Sequence, residues 1–183
     1  MTETAQRWRR LADDFARRVD GVPPDRWDDP APCAGWVARD VVRHLVDWMP
    51  ALYLGAVDLP RPDGPSVDDD PAGAWRAADG AIRAALENAG TARRPTRTRA
   101  GEMPLEDLVA MTGLMDLLVH AWDLARATGQ DETLDPAEVS AFLAGIEPWD
   151  AALRSSGYFG PRVPVPDDAD EQTRLLAFTG RHP

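Results

Sequence analysis

The stretch from Leu105 to Thr128, closed by Gly129, constrains the fold more than any other part of the chain. Leu108, Val109, Met111, Leu114, Met115, Leu117, Leu118, Val119 and Trp122 leave almost no polar face on a helix over these residues. A helix that is apolar all round is buried on several sides at once, so this one is predicted to be central. Further amphipathic stretches are available to surround it. Over residues 3 to 19, Trp8, Leu11, Ala12, Phe15 and Val19 recur at helical spacing, while Arg7, Arg9, Arg10, Asp13 and Arg17 take the other faces. Gly21 and Pro23-Pro24 end that helix. Over residues 37 to 56, Val37, Val41, His44, Leu45, Trp48 and Leu52 share one face, and Pro50 predicts a kink or an early end. Asp70 is placed to cap a third helix that starts at Pro71, buries Trp75, Ala78, Ile82, Ala85 and Leu86, and ends at Gly90.

The remaining segments read as connections and accessory helices. Trp27 and Trp36 are expected to pin the Pro-rich stretch from Val22 to Gly35 to the core. Residues 57 to 69 form a polar loop whose acidic run, Asp68 to Asp70, reads as a solvated helix entry. Between Thr91 and Pro104, alternating Thr and Arg suit a strand-like excursion or a mobile loop. Asp135-Pro136-Ala137-Glu138 is a capping-box start to a fifth helix with Val139, Phe142, Leu143 and Ile146 on its core face. A Pro-rich strap, Tyr158 to Pro166, leads to a last helix over Glu171 to Phe178, stopped by Gly180. No set of strands and no repeat emerges. The expected architecture is all-α: four main helices with two short accessory ones, in one domain spanning residues 1–183.

Charge and cysteine usage narrow the function. The 31 acidic residues against 20 basic ones give a net charge of -11. Nucleic acid and anionic membrane surfaces, which need clustered cations, are therefore not expected partners. Every basic residue is Arg, a permanently charged donor that cannot serve as a general base. The single Cys33 excludes an intrachain disulfide and a CxxC metal site, which suits a reducing compartment. The N-terminus MTETAQRWRR lacks the apolar core of a signal peptide. The longest uncharged apolar run, Trp48 to Val57, is too short for a membrane helix. The expected location is the cytoplasm, and the expected partner is a small molecule, with the chain a monomer or homodimer.

The informative residues are polar ones inside apolar helical patterns. Asp116 and His120 interrupt the central helix four residues apart, a spacing that stacks them on one face. His44 interrupts the inner face of the second helix in the same way. A buried carboxylate is costly unless it is paired or bound to a metal. If the second and fourth helices are neighbours, the three side chains can converge. Two imidazoles and a carboxylate suit Zn²⁺, or else Ni²⁺ or Fe²⁺, and leave a position for water or substrate. The other reading is an Asp116–His120 ion pair with His44 bonded separately to backbone.

Asp123, three residues beyond His120, either orients an imidazole or pairs with a nearby Arg such as Arg126. Asp47 has a weaker claim to the same supporting role, and solvent is its expected place. Trp48 and Trp122 read as core residues, with pocket lining as the alternative; Cys33 reads as a small packed residue, with a catalytic thiol as the alternative; and His182 reads as solvated. Arg93 to Arg99 reads as an exposed basic loop, with gating of an acidic substrate as the alternative.

Three strings together resemble a known family. Pro32-Cys33-Ala34-Gly35-Trp36-Val37-Ala38-Arg39-Asp40-Val41-Val42-Arg43-His44-Leu45 is similar to the start of the second helix in DinB-like proteins of the mycothiol-dependent maleylpyruvate isomerase type. Asp116-Leu117-Leu118-Val119-His120-Ala121-Trp122-Asp123-Leu124-Ala125-Arg126-Ala127-Thr128-Gly129 resembles their metal-binding helix. Phe159-Gly160-Pro161-Arg162-Val163-Pro164-Val165-Pro166 resembles the strap of the actinobacterial metal-binding branch. The resemblance implies a DinB-like four-helix bundle with His44, Asp116 and His120 as ligands of a divalent metal. The isomerase has Glu where Asp116 stands, and it carries a second domain after the bundle. The implied cosubstrate is mycothiol, activated as a thiolate against a small electrophile in S-transfer or isomerisation. The alternative is a metal-binding protein without catalysis, with a stress-related or scaffold role. An empty bundle holding a structural Asp116–His120 pair is the third.

Overall fold

The computed structural model describes residues 1–98, 101–155 and 161–183. Four long helical segments close a bundle: α1 (Glu3–Asp20), α2 (Ala38–Tyr53), α3 (Pro71–Glu87), and a central pair, α5 (Leu105–Thr112) and α6 (Leu114–Thr128). Helix α1 packs against α3 and α6, and α2 packs against the same two. Between the third and fourth segments lie α4 (Ala89–Ala92) and an antiparallel hairpin, β1 (Pro95–Thr98) with β2 (Gly101–Pro104). After the bundle come α7 (Pro136–Ile146), α8 (Asp150–Ser155) and α9 (Glu171–Phe178), with α9 against α7. The fold is an all-α, DinB-type helical bundle.

The predicted apolar faces form the core. Trp8, Phe15, Leu45, Tyr53, Trp75, Ile82, Leu117, Trp122 and Leu175 belong to one buried cluster. Leu105–Thr128 is long and apolar enough to cross a membrane by length and composition, yet 72% of its most apolar window is buried inside the protein. Its central place in the bundle accounts for that apolarity. Asp116 interrupts its longest uncharged runs.

Several boundaries differ from the sequence reading, each for a local reason. The central helix is broken at Gly113, where a Cβ would collide with the hydroxyl of the buried Tyr53. That hydroxyl instead contacts Thr112 Oγ1 at 3.0 Å. Met111, placed in the core by its apolarity, is 56% exposed near this break. In α2, Pro50 stays within the helix, while Leu52 is exposed and Met49 and Tyr53 fill the inner face instead. Asn88, not Gly90, marks the end of α3, and its side chain accepts from Thr91 N to start α4. At α7, Asp135 caps Ala137 N and Glu138 N as expected. The Glu138 carboxylate, however, turns to Arg7 and Arg10 instead of closing a capping box. The strap from Tyr158 to Pro166 is described only from residue 161, and there Val163 N donates to Ala177 O on α9.

Candidate metal centre

His44 lies on α2 between core positions Val41 and Leu45, and this face meets α6. Asp116 falls in the first turn of α6, where the positive end of the helix dipole favours a carboxylate. The break at Gly113 is what creates that helix start. His120 follows one turn later and is buried. Asp116 Oδ2 lies 3.3 Å from His44 Nε2, and Asp116 Oδ1 lies 3.4 Å from His120 Nε2. The three ligand-capable atoms lie within 4.8 Å of one another. His44 and Asp116 keep 33% and 31% of their side-chain surface exposed, so the cluster opens to solvent on that side.

The surroundings favour the charged forms of Asp116 and His120. Burial alone would push the Asp116 carboxyl up, but the facing His120 and the contacts from both imidazoles outweigh it. The carboxyl is held well below the usual carboxylate range. Burial alone would likewise lower His120, and Asp116 with Asp123 reverses this and raises it. Asp123 is fully buried on the far side of His120, with Oδ2 2.9 Å from His120 Nδ1. The approach is off the N–H axis, so Nδ1 has an ion-pair neighbour but no well-aligned hydrogen bond. Arg181 completes the arrangement: Nη2 donates to Asp123 Oδ2 at 2.8 Å and Nε to Oδ1 at 3.3 Å. Against the cost of burial, these partners hold Asp123 below its ordinary range.

Two indoles wall the cluster. Trp36 stacks on His120 with centroids 5.8 Å apart and an interplanar angle of 14°, and its centroid is 5.1 Å from that of His44. The Trp48 centroid lies 5.9 Å from that of His44. Cavities of about 140 and 270 Å³ elsewhere lie between α2, α3 and the loop before α3, and between α7 and the start of α9. Neither is lined by His44, Asp116 or His120.

The donor set fits a small divalent ion. Bonds of about 2.0–2.1 Å at a tetrahedral angle put neighbouring ligand atoms about 3.3–3.4 Å apart. Asp116 offers a different oxygen to each imidazole, Oδ2 to His44 at 3.3 Å and Oδ1 to His120 at 3.4 Å, and the three ligand atoms lie within 4.8 Å of one another, close enough for one small cation to bridge with modest side-chain adjustment.

The other sequence candidates separate. Asp123 stands behind His120, as its spacing allowed, but its Arg partner is Arg181; Arg126 pairs with Glu132 and stacks over Trp122. Asp47 and His182 are exposed. Trp122 is core, whereas Trp48 is half-buried against His44. Arg93, Arg94 and Arg97 are exposed on or beside the hairpin, Arg94 near Asp58 and Arg97 near Glu102, and Arg99 is outside the described residues. Cys33 is not merely packed: its Sγ lies 3.5 Å from both Asp123 Oδ2 and Arg181 Nη2. Sequence distance conceals this, since 90 residues separate Cys33 from Asp123. Arg181 carries no sequence signal, being an Arg in a polar tail.

Comparison with known proteins agrees with this architecture. The model of the mycothiol maleylpyruvate isomerase N-terminal domain matches residues 8–125, which hold most of the bundle and all three candidate ligands. The chain belongs to this family. It is 29% identical over 178 residues to the "Uncharacterized protein MT0763" of Mycobacterium tuberculosis strain CDC 1551 / Oshkosh, covering 94% of each chain. The same figures hold for the "Uncharacterized protein Rv0738" of strain ATCC 25618 / H37Rv. No solved structure matches the chain significantly.

Proposed function

We propose that His44, Asp116 and His120 hold a divalent metal ion, with Zn²⁺ the best fit and Ni²⁺ or Fe²⁺ compatible with the same donors. The observation that carries this reading is the convergence of one carboxylate and two imidazoles, their ligand atoms all within 4.8 Å of one another. The metal would supply Lewis acidity that favours the thiolate form of a small thiol at neutral pH. Family membership supports mycothiol as that thiol, and the product would be an S-conjugate or an isomer of a small electrophile.

The chain's own groups would do the remaining work. Asp116 supplies the negative charge that keeps a cation between the imidazoles. His120, buried against Trp36, fixes one ligand direction, while the exposed edge of His44 and Asp116 admits a visitor. Trp36 and Trp48 exclude water from the sides of the cluster and offer apolar contact to a substrate. Cys33 stands on the Asp123 side of His120, so the attacking sulfur in this reading is external. The reading fits a reducing compartment, the cytoplasm, where such a thiol persists.

The test is metal content and thiol-transfer activity with a small electrophile, compared between wild type and His120→Ala. Bound metal and activity in the wild type, both lost in the variant, support the proposal. Equal activity in both removes it. A second reading, metal binding without catalysis, draws support from the two Trp rings crowding His44. Bound metal without thiol transfer would favour it.

A further inference from the structure

His120 faces two ways. Its Nε2 looks toward Asp116, and its Nδ1 toward Asp123. Asp123 has no exposed surface, so its charge must be balanced from within. The balancing cation is the forked guanidinium of Arg181, which meets both carboxylate oxygens. Cys33, His120 and Asp123 also form a metal-capable group by distance. With Arg181 Nη2 on both Asp123 and Cys33, however, a positive charge already stands there and repels a second cation.

The tail carrying Arg181 is itself anchored. Arg181 N donates to Leu176 O at 3.0 Å, its Nη1 donates to Thr179 O at 3.2 Å, and Gly180 makes the turn at φ +88°. The guanidinium is therefore presented from a fixed backbone, with 17% of its side chain exposed.

We propose that Arg181 is a positioning residue for the metal centre: its two-pronged pair with Asp123 holds that carboxylate 2.9 Å from His120 Nδ1 as an ion-pair neighbour and so restrains the direction in which His120 presents Nε2. Carboxylates behind metal-bound imidazoles orient the ring and raise its donor strength. Here the carboxylate is in turn oriented by a residue outside residues 8–125, so the segment after the family-matched region completes the centre. This inference rests on the metal reading above.

The experiment measures Zn²⁺ affinity by chelator competition, the visible absorption of the Co²⁺-loaded protein, and the melting temperature of the metal-free protein. These are compared for wild type, Arg181→Gln, Arg181→Lys and Asp123→Asn. Arg181→Gln is expected to weaken Zn²⁺ binding about 10–100-fold and to shift the Co²⁺ bands. Arg181→Lys, which keeps the charge but loses the fork, recovers part of the affinity and not all of it. Combining Arg181→Gln with Asp123→Asn is expected to cost little more affinity than Asp123→Asn alone, because both act through one path.

Wild-type affinity and an unshifted Co²⁺ spectrum in Arg181→Gln, with only a lower melting temperature, would make Arg181 a tail anchor and overturn the inference. If Arg181→Gln does not fold, Arg181→Lys decides, and wild-type affinity with an unshifted spectrum there overturns it equally. A wild type that takes up neither Zn²⁺ nor Co²⁺ overturns the metal reading and this one together, which separates the two failures.

Discussion

Replacing Asp116 by Asn keeps the shape of the side chain and removes the one negative charge that faces both imidazoles. Removing a residue behind a ligand already costs about 10–100-fold in metal affinity, so loss of a direct anionic ligand is expected to cost on the order of 100-fold or more. No substitute is close at hand. Asp123 lies behind His120 and is committed to Arg181, and Asp47 is exposed. At free Zn²⁺ equal to 100 times the wild-type Kd, binding stabilises the native wild type by about 2.7 kcal/mol. For a chain of this size that raises the melting temperature by about 5–11 °C. In Asp116→Asn the same Zn²⁺ concentration is near the new Kd, and the gain falls to about 0.4 kcal/mol, or about 1–2 °C. The assay is thermal unfolding with and without Zn²⁺ within each variant, because the substitution also perturbs the metal-free protein by removing His120's partner. An Asp116→Asn protein that gains as much from Zn²⁺ as wild type would refute the ligand assignment. A wild type that gains nothing would refute the metal centre itself.

Two further outcomes follow from the same geometry. In the metal-free protein, His120 is raised, so its contribution is complete below about pH 6.5 and is lost as pH climbs through its folded value. Asp116 and Asp123 are lowered, so theirs is present above about pH 4 and is lost on acidification. Metal-free stability should therefore fall above about pH 6.5, by up to about 1.4 kcal/mol per pH unit, whereas the gain from Zn²⁺ should grow because bound imidazole must be deprotonated. Parallel pH profiles of the two melting temperatures would contradict this. Gly129, at φ +71°, ends α6 in the left-handed region, and a Cβ there would meet Arg26 Nη1, which donates to Thr128 O. Gly129→Ala is expected to cost about 1–2 kcal/mol and lower the melting temperature by about 2–8 °C, with Zn²⁺ affinity retained; calorimetry alongside chelator competition checks both.

Much of the bundle was legible because its signals are local and periodic. Trp8, Phe15, Trp75 and Ile82 recur at helical spacing, and all are buried as that spacing requires. Asp70, Asp135 and Gly129 mark helix ends by chemistry that acts within a few residues. The Asp116–His120 pair was equally visible, since positions four apart on a helix are neighbours whatever surrounds them. Met111 and Leu52 show where periodicity stops: both are apolar, both are exposed, and only the neighbours of α5 and α2 determine that.

By itself, then, the order of residues determined four helical segments, their inward faces and three polar groups in apolar company. Tertiary structure decided the rest. It brought α2 to α6, so that His44 met Asp116 across 72 positions of chain, and it set the Tyr53 hydroxyl where only a glycine fits at the break in the central helix, Gly113. It also set Cys33 and Arg181 around Asp123 across 148 positions of chain. The physical reason is range: capping and periodicity act over one or two turns of chain, whereas the charge balance of a buried carboxylate is settled by whichever residue the completed packing brings within about 3 Å.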